Sequence, residues 1–501
     1  MKKNIKKYYF IVIILIAGMF SSCDKGFEDI NKSVDFVSVP NLDFMLPPIQ
    51  LNMIDRNYYT ISAFQAPYVG HVNTTYEFKD LVVPGDQDMG EHFQWIYRNA
   101  LKSVADLIDR SKENPDMVNY YNIGRIIKVY LTHQLTDVYG DIPYFEANKG
   151  YTDRIFTPAY DPQQKIYEDM FKELEEATLG FNNTKISPVQ SDIVYKGDLT
   201  KWKKFANSLM LRLGLRIMKV DAINGKKWID KAIAGGLLAS NDDNFVVYYL
   251  PNSGKSSTAN GTPHIFISSS YIDKFRLASP FIDSLKNRND PRTTVYAMRM
   301  TAPFTKYHDG DHSFDNQRGY PPFGSIAESR NNFSVSNIRT FGRYDAPYVH
   351  LSYAQVQLQL AECVVRGIIS GDAKTYYENG VRAAMAELSV YGPDAVISVG
   401  QQNAYLLENP YVPENALNMI NTQYWIETHY NWYETWANMR RSGYPKMYEL
   451  LDKTIPGNIG AVLPKRLTYP PAEIIANPKL QDAIQRQGPN LTSTPVWWDK
   501  Q

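Results

Sequence analysis

Several stretches of this chain repeat apolar residues at steps of three and four positions, the period of a helix with one buried face. The clearest case is a helix over 115–139, whose stripe includes Ile123, Ile127 and Leu135 and which Gly140 is expected to close. Further stripes predict helices at 90–110, from Asp161-Pro162 onward, around Trp202, and at 351–366, 372–388 and 424–441. Because these helices come in pairs, we expect a mostly α fold of stacked helix–turn–helix units of the tetratricopeptide kind.

Three long stretches between the predicted helices, at roughly 56–89, 240–270 and 292–348, lack a helical period. Loops of this length are uncommon inside a compact protein and tend to carry function. The chain is also rich in aromatic residues, with 36 Tyr, 22 Phe and 8 Trp. Tyrosine on this scale supplies both core and contact surfaces that are apolar with a polar tip.

The N-terminus has the form of an export signal. Lysines at 2, 3, 6 and 7 precede thirteen uncharged, mostly apolar residues at 8–20, too few for a membrane-spanning helix of about 20 residues. Phe20-Ser21-Ser22-Cys23 then resembles the bacterial lipobox, whose cysteine is acylated and becomes the first residue after cleavage. We predict a signal peptide at 1–22, a lipid on Cys23 and a single domain at 23–501; the alternative is an ordinary signal peptide beside a chance cysteine.

Cysteine count and charge exclude several classes of protein. The second cysteine, Cys363, lies 340 positions after Cys23, so the chain offers neither a disulfide framework nor a cysteine metal cluster. The helical stretch around Cys363 predicts a small core residue. Without residues 1–22 the chain has 49 basic and 53 acidic residues, and a net charge of −4 argues against a nucleic-acid partner.

Candidate chemistry is sparse. His308-Asp309-Gly310-Asp311-His312, with Asp315 nearby, could ligate a metal or form a solvated polar loop, and the sequence leaves both open. The sequence contains no nucleophile elbow, phosphate-binding loop or dinucleotide fingerprint. Glu175 and Glu176 lie on a charged helix face, which is typical of solvent-exposed residues. The two acids of a glycosidase need only meet in space and can be far apart in the chain, so the sequence leaves a glycosidase open. We predict no catalytic residue, no metal site and no cofactor.

A series of short blocks resembles the SusD/RagB family of nutrient-binding outer-membrane lipoproteins. The most specific is LTDVYGDIPY at 135–144, which is typical of the branch with the Tyr-Gly-Asp-Ile-Pro-Tyr motif. The other blocks follow in the family's order at 160–167, 174–177, 197–213, 289–292, 361–362, 377–380, 436–445, 466–470 and 494–498. We interpret the 135–144 and 197–213 blocks as architectural, because their apolar stripes and turn residues are those of packed helices.

The resemblance implies both a fold and a function. The fold is an α-superhelix of four tetratricopeptide-like helix pairs, overlaid by long loops and short strands. The function is that of a surface-exposed, lipid-anchored outer-membrane protein for nutrient uptake, which captures glycan or peptide and delivers it to a TonB-dependent transporter of the SusC type. A surface glycoside hydrolase is the alternative.

No binding residue can be carried over from the family, because its ligand loops vary and carry no motif. Flat sugars are held by aromatic faces together with a few hydrogen-bonding groups, so we select rings on the long loops. The candidate ligand-binding residues are Tyr68, Tyr76, Phe78, Tyr307, Phe314, Tyr320 and Phe323. Because they lie outside the helical stripes, substitutions such as Tyr320→Ala are expected to cost little stability.

Overall fold

Helices make up most of the computed structural model, which describes residues 41–54, 64–74, 88–250, 259–268, 271–272, 274–300, 307–321, 328–449 and 461–500. Apart from Asn41, these residues belong to one compact unit, Leu42–Gln501. The predicted signal peptide at 1–22 and the predicted lipid attachment at Cys23 lie outside the described residues. The mostly α fold predicted from the sequence is confirmed.

The α-helices in the first half of the chain are α1 (Leu42–Leu51), α2 (Ala66–Tyr68), α3 (Glu91–Trp95), α4 (Lys102–Lys112), α5 (Val118–Tyr139), α6 (Gln163–Gly180), α7 (Leu199–Ile217) and α8 (Ala222–Gly235). Those in the second half are α9 (His264–Ile267), α10 (Ser279–Lys286), α11 (Thr293–Tyr296), α12 (Tyr353–Val365), α13 (Ala373–Glu387), α14 (Val399–Glu408), α15 (Ala416–Glu427), α16 (Trp432–Ser442), α17 (Pro471–Ala476) and α18 (Leu480–Gln487). Consecutive helices pack against each other as pairs, notably α4 with α5, α7 with α8, α12 with α13 and α15 with α16. This pairing is the helical-repeat arrangement expected from the periodicity.

Helix α5 forms the centre of the unit. All but three of its residues are buried, so it packs on every side and not on one stripe alone. It ends as predicted at Gly140, whose backbone has φ of +83° and whose N–H donates to the Thr136 carbonyl. A side chain on Gly140 would also collide with Gln487, which approaches this turn closely.

Two sequence-based boundaries are corrected. The stretch at 424–441 is not one helix, because α15 ends at Glu427 and α16 begins at Trp432. Tyr430 between them has φ of +72°, a conformation that cannot continue a right-handed helix. Pro162 precedes the first helical residue of α6 as its N-cap, where its extended ψ of 131° turns the chain into the helix.

The strands are short and form four antiparallel pairs among the described residues. Their bounds are β1 (Val72–Thr74), β2 (Ile142–Pro143), β3 (Tyr160–Asp161), β4 (Phe245–Val247), β5 (Phe275–Leu277), β6 (Ala297–Met298), β7 (Val335–Ser336) and β8 (Tyr348–Leu351). The pairs are β1 with β5, β2 with β3, β4 with β8, and β6 with β7. Most of these strands fall in the long stretches without a helical period, and they tie those stretches to one another and to the helices.

A buried ion network joins four distant parts of the chain. Glu434 on α16 accepts from Arg216 Nη2 on α7 at 2.6 Å, and Arg212 Nη1 lies 3.8 Å from the same oxygen. Asp137 on α5 lies 3.3 Å from Arg216 Nε and accepts from Trp498 Nε1 at 2.8 Å. Burial by itself raises the pKa of Glu434, but the two guanidinium groups hold it below its usual value. The charge of Glu434 is therefore compensated inside the protein, whereas burial raises the pKa of Asp137 in spite of Arg216.

Trp202 on α7 occupies the other end of the same core. Its ring is fully buried in edge-to-face contact with Tyr195 and Phe245, at centroid distances of 5.4 and 5.5 Å. Its indole N–H donates to Asp192 Oδ2 at 2.8 Å, and Asp192 also accepts from Gln50 on α1. The buried stripe predicted for this helix is thus present, with a polar partner for the tryptophan.

We expect Trp202→Ala to lower the free energy of unfolding by roughly 3–5 kcal/mol, the range for truncation of a large aromatic core residue. The matched control is Phe156→Ala, because Phe156 is 79% exposed and its removal should change stability by less than about 0.5 kcal/mol. Chemical denaturation of both variants measures the difference. Equal stability of the two would show that Trp202 is not a core residue.

We expect Arg216→Met to cost roughly 3–5 kcal/mol, because it leaves Glu434 and Asp137 buried with too little positive charge. Arg110→Met on α4 is the control, since Arg110 pairs with Asp106 at an exposed site where an ion pair contributes at most about 1 kcal/mol. Urea melts at neutral pH compare the two. A cost for Arg216→Met as small as that for Arg110→Met would contradict a structural role for the network.

Candidate functional site

The described parts of the long irregular stretches are held by short backbone pairings. Strand β1 pairs with β5 in the register Val72 to Leu277, which ties 56–89 to the chain before α10. Tyr320 is hydrogen-bonded at the end of β5: its N–H donates to Leu277 O at 2.8 Å and its carbonyl accepts from Ser279 N at 2.7 Å. The first and third stretches are therefore both hydrogen-bonded to the backbone at 277–279.

Asn260 connects the second stretch to the third. Its backbone N–H donates to Tyr344 O at 2.7 Å, and its side-chain amide donates to Ala346 O at 2.8 Å. The side-chain Oδ1 of Asn260 in turn accepts from the backbone N–H and the hydroxyl of Thr262. A single buried asparagine thus fixes the start of 259–268 on the segment that leads into β8.

Three predicted ligand-binding rings face the interior. Tyr68 is buried against Trp436, with ring centroids 5.5 Å apart. Tyr307 is buried and its hydroxyl donates to the Ser336 carbonyl. Tyr320 is 2% exposed and lies edge-to-face on Phe333 at 5.0 Å. These rings support the loops, so the expectation that Tyr320→Ala costs little stability is corrected.

Of the four remaining candidates, one ring is partly exposed and three lie outside the described residues. Phe314 is partly exposed, and Lys286 Nζ lies 5.8 Å from its ring centroid. Tyr76, Phe78 and Phe323 lie outside the described residues. The structure does not bring Phe314 together with the three buried rings at one accessible surface.

A cluster of three partly exposed rings lies beside Asn260, and we call it the His264 cluster: His264, Tyr271 and Tyr344. The His264 ring centroid is 5.8 Å from that of Tyr271 and 6.4 Å from that of Tyr344, and His264 Nδ1 lies 3.3 Å from the Tyr344 hydroxyl. Lys274 Nζ lies 5.6 Å from the Tyr271 ring centroid. Burial lowers the pKa of His264 and raises that of Tyr344, so the cluster presents neutral rings with polar tips.

Sequence reasoning missed this cluster. His264 and Tyr344 belong to two of the three long stretches, and Tyr271 follows one of them directly, but nothing in the sequence sets them apart from the rest of the 36 tyrosines and 8 histidines. The signal that selects them is tertiary: partial exposure combined with mutual contact. A search of the long stretches for His and Tyr together would have included His264 and Tyr344 without ranking them, and would have stopped one residue before Tyr271.

The histidine-rich loop has its carboxylates already occupied by protein donors. Asp309 accepts from Arg339 Nη2 at 2.7 Å and lies 2.5 Å from His312 Nε2, while Asp311 accepts from Ser313 and Asn316. These hydrogen bonds lower the pKa of both aspartates to about 2. Within the part of the chain that the structure describes, no group of three or more His, Cys, Asp or Glu side chains could hold a metal ion.

Two tryptophans of α16 and the second cysteine of the chain are core residues. Trp432 and Trp436 are fully buried. Cys363 is buried, and burial raises the pKa of its thiol to about 12, far from that of a reactive thiolate. A search of the described helices finds none that is both long and apolar enough to cross a membrane.

Comparisons with known proteins agree on one family. The SusD-like family model described as "Starch-binding associating with outer membrane" matches residues 35–470. A solved structure named as a chitin-binding protein is 32% identical, with a TM-score of 0.79, and the match covers 92% of this chain and 100% of that one. A SusD-like protein of Bacteroidetes AC2a is 27% identical, with a TM-score of 0.80 and the same coverage.

A chitin-binding SusD homologue from Flavobacterium johnsoniae shares the fold at 23% identity and a TM-score of 0.73, with 92% of this chain and 98% of that one covered. No curated protein matches the sequence. The family match extends over most of the chain, and the helical-repeat fold agrees with it. The chain therefore belongs to the SusD-like family, the SusD/RagB group of nutrient-binding proteins associated with the outer membrane.

Proposed function

We propose that this protein is a surface lipoprotein that captures an oligosaccharide and delivers it to a TonB-dependent transporter of the SusC type. The family's starch-binding description and the 32% identical chitin-binding protein support a glycan ligand, and favour a chitin-type oligosaccharide over a peptide. Delivery to a transporter and the lipid on Cys23 rest on the family and on the N-terminal sequence.

The observation that carries the glycan proposal is the His264 cluster. Sugar rings have apolar faces that stack on tyrosine, and their hydroxyl and acetamido groups need hydrogen-bonding partners at the edge. The cluster offers two tyrosine rings, an imidazole and the Lys274 ammonium group on the face where the long loops meet. Neutral, partly exposed rings can bind a neutral glycan without the cost of removing water from a charge.

Catalysis is not needed for this function, since a captured glycan is passed on unchanged. The alternative, a surface glycoside hydrolase, requires two carboxylic acids about 5–10 Å apart across an accessible sugar site. The three members of the His264 cluster are rings, and none of them is a carboxylic acid. We therefore propose a binding protein without enzymatic activity; release of shorter sugars from chitin oligosaccharides by the purified protein would favour the hydrolase.

The double substitution Tyr271→Ala/Tyr344→Ala should weaken binding of chitin oligosaccharides about tenfold or more. Each stacking ring contributes roughly 1 kcal/mol, and about 1.4 kcal/mol corresponds to a factor of ten. Isothermal titration with the purified mature protein measures the change, and the melting temperature checks that the fold persists.

Tyr151→Ala is the matched control, because Tyr151 is 98% exposed on the loop between β2 and β3, which contributes no residue to the His264 cluster. This variant should bind as tightly as the wild type. If both variants bind alike, the glycan site is elsewhere, and the predicted residues Tyr76, Phe78, Phe314 and Phe323 become the next to substitute.

Cys23→Ala should release the protein from the membrane fraction, because the thiol that would carry the lipid is gone. Cys363→Ala is the control: it removes the buried thiol and should leave the protein with the membranes. Cell fractionation followed by a high-salt wash distinguishes the two. A Cys23→Ala protein that still sediments after washing would contradict the lipid anchor.

A further inference from the structure

Two histidines are in ring contact in the core, where the chain enters β1. His71 directly precedes β1 and is fully buried, and His429 lies in the turn between α15 and α16 and is 5% exposed. Their ring centroids are 5.1 Å apart, and the His71 ring is 4.6 Å from each of the rings of Phe281 and Trp425. One imidazole therefore packs the start of β1 against α10 and α15.

The protonation state of His71 is set by its hydrogen bond to Trp432. The indole Nε1, which can only donate, lies 3.1 Å from His71 Nδ1, so Nδ1 carries a lone pair and the imidazole is neutral. Among the described residues, His71 Nε2 and both ring nitrogens of His429 have no hydrogen-bond partner. A proton added to Nδ1 would turn a second N–H toward the indole N–H and bury a positive charge without an acceptor.

The titratable groups around the two imidazoles do not compensate such a charge. Burial lowers the pKa of His71 well below its usual value, and His429 lowers it further. Burial lowers the pKa of His429 to about 3. Tyr296 and Tyr430, in ring contact with His429, are neutral because burial raises the pKa of each. Glu427 at the end of α15 accepts hydrogen bonds from the first turn of α12 instead.

Charged groups on the helices that pack against His71 have other partners or face solvent. On α16, Glu434 binds Arg216 of the buried network. On α10, Asp283 is exposed and Lys286 donates to two loop carbonyls. Within the described part of the chain, a protonated His71 would therefore lack a counter-charge.

The backbone of His71 joins β1 to the end of β5. Its N–H donates to Ala66 O at 3.1 Å, and its carbonyl accepts from Ala278 N, directly after β5, at 3.0 Å. The next residue, Val72, begins β1 and pairs with Leu277. Movement of the imidazole out of the core therefore displaces the residue that holds the two strands together.

Strand β5 supports one ring of the His264 cluster. The Phe275 ring lies edge-to-face with the Tyr271 ring at a centroid distance of 6.2 Å, and Arg276 Nη1 donates to Ile272 O at 2.8 Å. Opening of the β1–β5 pair would therefore remove support from the Tyr271 side of the proposed glycan site.

We propose that His71 is a pH-sensitive switch, whose protonation at low pH releases the imidazole from Trp432 and opens the β1–β5 pair. In the open state His71 reaches water and titrates near its ordinary pKa of 6.5, whereas in the closed state it stays neutral. The closed state is therefore fully stabilised above about pH 6.5 and loses stability as the pH falls below that value.

Hydrogen exchange of the whole mature protein between pH 7.5 and pH 5.0 tests the proposal. After correction for the intrinsic pH dependence of amide exchange, protection of the amides at 72–74 and 275–278 should fall about tenfold or more, because an open-state group with a pKa of 6.5 takes up its proton over this range. His71→Asn should lose most of this fall, since the introduced side chain does not titrate and its oxygen can accept from Trp432.

His92→Asn is the matched control. His92 is also buried and, within the same part of the chain, both of its ring nitrogens lack a partner, but its ring stacks on Tyr433 of α16. This variant should show the wild-type fall. Protection at 72–74 and 275–278 that stays constant in the wild type overturns the proposal, even if the His71→Asn protein fails to fold. An equal fall in wild type and His71→Asn also overturns it, as does loss of the fall in His92→Asn.

Discussion

The ion network of Asp137, Arg216 and Glu434 is the constraint on which the rest of the structure depends. It joins α5, α7 and α16, and Trp498 near the C-terminus donates to the same aspartate. Each charge is buried, and removing any one leaves its partner uncompensated at a cost that exceeds the value of a surface ion pair. The helices that bear these residues are therefore fixed in register as well as in contact, and the loops inherit their positions from them.

Several blocks that resemble the family are explained by similar contacts. Asp141 in the turn after α5 accepts from the Gln163 N–H at 2.8 Å and pairs with Arg486 at 2.7 Å. Arg292 and Asp290 form a buried pair that also reaches Gln423. Arg441 and Glu362 join α16 to α12 at 2.6 Å. These motifs hold helices and turns together, so they identify the fold while leaving the ligand unspecified.

The region that we propose binds the glycan is held together by a different kind of contact. Its frame is made of short backbone pairings and the buried Asn260, and the three rings of the His264 cluster are partly exposed. Tyr307 and Tyr320, chosen from the sequence as ligand contacts, support this frame from below.

The sequence by itself determined the helical class, the bounds of α5, α12 and α13 to within a few residues, and the burial of the Trp202 stripe, because a period of 3.6 residues and capping residues act locally. It also singled out the long stretches in which we propose that the glycan site lies. Only the tertiary structure decided which of their rings are accessible: Tyr320 and Tyr344 occur in the same long stretch, yet one packs on Phe333 and the other lies beside His264. Such contacts join residues far apart in the chain, and no local pattern records them.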